Sequence, residues 1–220
     1  MLKINKLCVS LEGSPILRSL SLEIHAGTTI AVVGRNGAGK TTLLRSIMGL
    51  IPASSGDMHL DEHNLIFSKA HLRPSLGIGY APEDRVIFPT LSVQENLEFP
   101  CGIQKMTKLE IEERLEHVLD VVPQLKFMLP RSGSALSGGQ GKMVALGRAL
   151  MVGSSVVLLD EPFQGLAPAL ALQYSQALGR LRTSRPDLSV LITESNSALL
   201  SDIPNQILTI ERGSFVDTTH

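Results

Sequence analysis

The chain has 220 residues, enough for one large domain or two small ones. Its 20 Lys and Arg against 21 Asp and Glu leave a formal charge of -1, so it lacks the basic excess of a general nucleic-acid binder. With 43% hydrophobic and 19% charged residues it is neither a disordered chain nor a collagen-like repeat, and no run approaches the ~20 apolar residues of a membrane span. An aromatic share of 4% without Trp argues further against base-stacking surfaces. The first residues alternate apolar and polar instead of forming an export signal, and two cysteines, Cys8 and Cys101, are too few for a disulfide framework. The expected compartment is the cytosol.

In chain order, residues 2–12 and 16–25 read as strands about a Gly13-Ser14-Pro15 turn, with partial period-two alternation. Residues 28–33 form a continuous β-rich apolar run, as in a strand buried on both faces. A Gly-rich loop follows, then a helix over 40–48 closed by Gly49 and Pro52. A small hairpin is expected at 56–65 and a short strand at 78–81. From about 90 the pattern turns helical: a short helix at 92–99, then one opened by the capping box Thr107-Lys108-Leu109-Glu110 and ended by Pro123, then one over 137–151. Strands at 156–159 and 188–193 enclose a helix at 168–181, and a hairpin of 207–210 and 214–216 closes the chain. Strands alternating with helices predict a parallel α/β core, with the helical stretch at about 90–150 inserted in it.

Three segments carry chemistry. Gly34-Arg35-Asn36-Gly37-Ala38-Gly39-Lys40-Thr41 fits G-x-x-x-x-G-K-[ST] between a strand and a helix. Glycines there let backbone N–H groups face phosphate oxygens, and the helix N-terminus adds positive potential. Lys40 reaches the β- and γ-phosphates and Thr41 offers its hydroxyl to Mg²⁺. The apolar strand 156–159 ends in Asp160-Glu161; Asp160 is placed to hold Mg²⁺, and Glu161 to polarise the attacking water. Leu136-Ser137-Gly138-Gly139-Gln140 opens a helix as a second anion cradle, which is most economically assigned to the nucleotide of a second subunit. His59 and His63 fall in a hairpin rather than on a helix face and are not read as a metal pair.

In this order the three segments resemble the ATPase subunit of ATP-binding cassette (ABC) transporters, over essentially the whole chain. Residues 80–85, 87–97 and 165–168 are similar to the ATPases of bacterial branched-chain amino acid importers. The resemblance implies a P-loop NTPase with a RecA-like parallel-sheet core, an N-terminal antiparallel β subdomain and a helical signature subdomain at about 90–150, in a single ATPase domain over 1–220. It implies ATP and Mg²⁺, with nucleotide contacts from Leu11, from Gly34 through Thr41 and Thr42, and from Ser137, Gly138, Gly139 and Gln140 acting on a second ATPase subunit's nucleotide. Thr41, Glu83 and Asp160 are implied at the metal, and Glu161 and Ser195 in catalysis. It implies transmembrane permease subunits as partners, a second ATPase in a hetero- or homodimer, a periplasmic solute-binding protein reached indirectly, no nucleic acid, and a peripheral place on the cytoplasmic face of the bacterial inner membrane. A soluble cassette ATPase outside transport and a low-turnover regulatory subunit are the alternatives. Four positions depart from the general family pattern: Leu11 replaces an aromatic over adenine, Glu83 a Gln, Ala167 an Asp, and Ser195 a His that contacts the γ-phosphate. From the shorter reach of Ser195, slow hydrolysis at this chain's own site is expected, unless Asn196 or the second subunit compensates.

Overall fold

A computed structural model of the chain describes residues 1–200 and 203–216. The first strands, β1 (Leu2–Leu11) and β2 (Ser14–Ile24), form an antiparallel hairpin, extended on its other edge by β4 (Ser55–Leu60) and a two-residue β5 (His63–Asn64). The alternation of β1 is only partial because its pairing shifts register between Ile4 and Leu7, where Lys6 adopts φ 50°. The extra residue keeps Ile4 and Leu7 on the same buried face.

The second sheet has six strands in the order β10-β9-β3-β8-β7-β6, with β3 (Thr29–Val33), β6 (Ile78–Ala81), β7 (Val156–Asp160), β8 (Ser189–Glu194), β9 (Gln206–Glu211) and β10 (Ser214–Val216). All neighbours are parallel except β10, which returns antiparallel along β9. This sheet divides two cores by the period-two rule. Ile30, Val32, Val156, Leu158 and Leu191 face the antiparallel sheet and α1 (Lys40–Ile47). Ala31, Val157, Leu159, Val190 and Ile192 face the helices. Both faces are covered, which is why these strands read as unbroken apolar runs.

The helical side comprises α2 (Val93–Ile103), α3 (Lys108–Val121), α4 (Gly138–Val152) and α5 (Pro168–Ser184). Helix α2 runs past the expected stop at Phe99, through Pro100, because its stripe of Val93, Leu97 and Cys101 continues into the core. Its N-cap Ser92 and that of α4, Ser137, form capping boxes with Glu95 and Gln140, as Thr107 does with Glu110. Helix α4 is buried nearly all round, since it lies on β6 and β7 with α2 and α3 against its other side. A Cβ at Gly79 would stand 2.2 Å from the Ala149 carbonyl oxygen, so β6 accepts α4 at this distance only without a side chain.

Candidate nucleotide site

The phosphate loop leaves β3 at Gly34 and enters α1 at Lys40. Gly39 caps α1 at φ 111°, and Gly37 stands at φ 81°, conformations that favour glycine. A Cβ at Gly34 would meet the Ile210 carbonyl oxygen at 2.4 Å, and Gly213 N–H donates to the Ala38 carbonyl at 3.0 Å. The loop is thus backed by the C-terminal hairpin. Ala38, Gly39 and Lys40 are buried, while Arg35, Asn36 and Gly37 are exposed. The Lys40 ammonium spends its three donors on Gly34 O (2.6 Å), Arg35 O (3.2 Å) and Glu161 Oε1 (3.0 Å).

Parallel pairing sets Asp160 of β7 beside Thr193 of β8. The Asp160 carboxylate accepts from Thr193 Oγ1 (2.7 Å), Thr41 Oγ1 (3.1 Å) and the Tyr80 hydroxyl (3.2 Å). Burial pushes its pKa up against the pull of these hydroxyls, and burial with the Asp160 charge pushes the Tyr80 phenol up too. Glu161 follows in a left-handed turn, φ 45°, uncommon for a side chain with a Cβ. Its N–H bonds Thr193 O (3.1 Å) and Oγ1 (3.2 Å), and its carbonyl accepts from the Lys142 ammonium. Ser195 Oγ donates to Glu161 Oε2 at 2.9 Å.

These groups surround a cavity of about 320 Å³ lined by Lys40, Thr41, Thr42, Glu83, Glu161 and the loop residues Asn36, Gly37 and Gly39. Ile16, assigned no role from sequence, lines it as well. Leu11 sits at the tip of the β1–β2 hairpin, 38% exposed, and is not among the lining residues. Ser137, Gly138, Gly139 and Gln140 do not line it either. They stand at the start of α4, where Ser137 Oγ accepts from Gln140 N (3.3 Å) and keeps its own proton to donate. The glycines fit tight places there. A Cβ on Gly138 would lie 2.8 Å from Arg85 Nη1, and one on Gly139 would lie 2.4 Å from Leu170 Cδ1. The hydroxyl of Ser195, of shorter reach than the His of the general pattern, is engaged on Glu161.

Sequence reasoning assigned no role to Tyr80, Thr193, Lys142 or Glu194. Thr193 and Glu194 carry a usable signal, as polar residues ending an otherwise apolar strand. Lys142 is masked by its place in an apolar helix. Among the described residues no group of three or more His, Cys, Asp or Glu side chains is disposed to hold a metal. The oxygens of Thr41, Asp160 and Glu83 are nonetheless hard donors of the kind Mg²⁺ takes when substrate phosphates and waters complete its shell.

A phosphate loop at the end of a central parallel strand, with an acid pair on the second strand from it, defines a P-loop nucleotide-hydrolysing protein. The ABC transporter family description matches residues 17–164. The chain is 35% identical over 196 residues to a probable branched-chain amino acid transport ATP-binding protein LivF of Archaeoglobus fulgidus, covering 89% of this chain and 82% of that one. It is 31% identical to the high-affinity branched-chain amino acid transport ATP-binding protein BraG of Pseudomonas aeruginosa, with 98% and 91% covered. It is 32% identical to the lipopolysaccharide export system ATP-binding protein LptB of Escherichia coli K12, with 84% and 76% covered. The dimeric post-hydrolysis cassette MJ0796 bound to ADP and Pi superposes with a TM-score of 0.85 at 22% identity, covering 99% of this chain and 97% of that one. This chain belongs to the ABC transporter family, as its ATP-hydrolysing cassette. No helix among the described residues is long and apolar enough to cross a membrane.

Proposed function

We propose that this chain is the ATP-binding and ATP-hydrolysing subunit of a bacterial importer for branched-chain amino acids or a related small polar metabolite, working on the cytoplasmic face of the inner membrane. The observation that carries the enzymatic part is the pairing at one loop of Lys40 with Glu161 (3.0 Å) and of Thr41 with Asp160 (3.1 Å). The loop amides and Lys40 bind the phosphates, Thr41, Asp160 and Glu83 would hold Mg²⁺, and Glu161 takes a proton from water. When bound, Mg²⁺ would supply charge neutralisation at the phosphate oxygens. All three Lys40 donors are in use, so a phosphate oxygen can gain this ammonium only by displacing one acceptor. Displacing Glu161 Oε1 frees the carboxylate as substrate arrives, while Ser195 still orients it through Oε2.

The exposure of Ser137, Gly138 and the Gln140-capped turn, away from this chain's own cavity, supports their action on a second subunit's nucleotide. A groove of about 420 Å³ lined by Met48, Leu50, Ile51, Pro82, Val86 and Pro100 lies between α1, the 82–86 segment and α2, and suits an apolar permease segment. The names of LivF and BraG support transport of branched-chain amino acids. The comparable similarity to LptB favours an export complex as the second reading.

Two experiments test this. Glu161→Gln lowers ATP turnover by about 10²-fold or more while ATP still binds. Tagged pull-down from detergent-solubilised native membranes, followed by mass spectrometry, recovers multi-span permeases and a second cassette. A neighbouring solute-binding protein marks an importer, and recovery of lipid-export components marks the second reading. Recovery of soluble partners alone refutes the transporter assignment.

A further inference from the structure

Lys142 is a buried cation outside every motif, 9% exposed, on the second turn of α4. Its ammonium donates to the main-chain carbonyl of Glu161, and the charges of Glu194, Glu83 and Glu161 face it, with Arg85 opposing. Glu194, fully buried, accepts from Phe163 N–H at 2.8 Å through Oε1, while its Oε2 has no hydrogen-bond partner among the described residues. The left-handed turn at Glu161 is therefore gripped on one side by β8, through Thr193 and Glu194, and on the other by α4, through Lys142. Residue 142 lies two positions after Gln140, so the helix that begins with the second anion cradle carries the group that holds the general base's backbone.

We infer that Lys142 is a positioning residue that couples the Ser137–Gln140 cradle to Glu161, so that engagement of the cradle on the second subunit's nucleotide adjusts the base at this chain's own site. The inference rests on the roles proposed above for Glu161 and Ser137. Ser137 caps α4 about one turn before Lys142, within one continuous helix, and among the described residues the Lys142 contact is the direct polar tie between its first two turns and the Glu161 backbone. A movement of the cradle of a fraction of an ångström reaches the Glu161 turn through this tie, and a turn in a sparsely populated conformation responds to such a shift.

The test is a double-mutant cycle on the full chain, reading kcat and KM for ATP hydrolysis in wild type, S137A, K142M and S137A/K142M, each checked for folding by circular dichroism. The expected result is a fall in kcat of about tenfold for S137A in wild type, shrinking to less than about twofold in the K142M background, with KM little changed in K142M. K142R, which keeps a cationic donor, restores the S137A effect. A merely structural role for Lys142 would scale the active fraction and leave the S137A ratio intact, so equal ratios in both backgrounds overturn the inference. If K142M does not fold, K142Q enters the same cycle, its amide ending one bond short of the Glu161 carbonyl. Failure of the underlying reading is separately visible: E161Q that still turns over, or S137A without effect in wild type, removes the proposed roles and the coupling with them.

Discussion

Glu194 gives a prediction whose size follows from its surroundings. Burial is the main cause that raises its carboxyl from an ordinary 4.5 to about 7; the Glu161 charge adds to this, while the Phe163 N–H and the Lys142 charge oppose it. Such a displacement is worth about 3 kcal/mol between the two protonation states. The sign follows from linkage. Below pH 4.5 the carboxyl is protonated in folded and unfolded chains alike, and its contribution to stability is whole. As pH rises towards 7 the unfolded chain releases the proton while the folded chain holds it, so stability falls, and above about 7 the contribution is gone. Glu194→Gln removes this titration. Because the attraction of Lys142 is already part of the balance that sets the value of about 7, the difference between variant and wild type should grow by up to about 3 kcal/mol in the variant's favour from pH 5 to pH 8. For a chain of this length that is roughly 6–12 °C in Tm. Thermal melts followed by circular dichroism at half-unit pH steps measure it. Parallel Tm curves for wild type and E194Q would refute the account of Glu194 as a carboxylate confined by burial.

Other expectations are more local. Thr193→Val keeps the shape but takes a hydroxyl from Asp160 and from the Glu161 N–H; hydrogen bonds to a charged group are worth about 1.5–3 kcal/mol, so kcat/KM should fall about 10–100-fold, and an unchanged value would show that Asp160 does not depend on it. Ser195→Ala removes the donor to Glu161 Oε2 and should lower kcat about fivefold with ATP affinity unchanged; a change in affinity instead would move Ser195 from the base to the substrate. Gly79→Ala drives a Cβ onto the Ala149 carbonyl and should destabilise by about 2 kcal/mol or more. Gly179→Ala, in α5 with nothing within 4 Å, should stabilise by about 0.5–1 kcal/mol. Denaturant titrations of the two glycine variants should give opposite signs.

The elements were legible in the sequence wherever local chemistry coincides with tertiary demand. The buried strands expected at 28–33 and 156–159 announce themselves as apolar runs, and the phosphate loop is local chemistry written contiguously. What escaped depends on register across strands distant in sequence. Thr193 meets Asp160 because β8 pairs with β7 in one alignment, and nothing within either strand states that alignment. Lys142 escaped for a related reason, since its neighbours are supplied by the Glu161 turn and by Glu194 rather than by its own helix. Leu11, placed near the base by position in the family pattern, stands 38% exposed at the hairpin tip, and the proximity of Ile16 to the phosphate loop is set by the hairpin's packing, which local pattern does not state. The partial alternation of β1 turned out to be a bulge at Lys6, a local backbone event that side-chain patterning alone does not declare.

The backing of the phosphate loop by the C-terminal hairpin has a consequence for biosynthesis. Strand β3, which launches the loop, takes its flanking strands from 189–194 and 206–211, and the loop rests on Ile210 and Gly213. A nascent chain emerging from the ribosome carries the complete Gly34–Thr41 segment long before it carries the strands that hold that segment in shape. Until about residue 194 is available β3 has no neighbour in its sheet, and until about residue 213 the glycine-rich loop has no rear wall, so the earliest contacts are confined to the N-terminal hairpin and α1. Capture of nucleotide thereby becomes a late event in the life of the chain, and an incompletely synthesised cassette is unable to compete for ATP or to occupy a place in a complex that needs a working site.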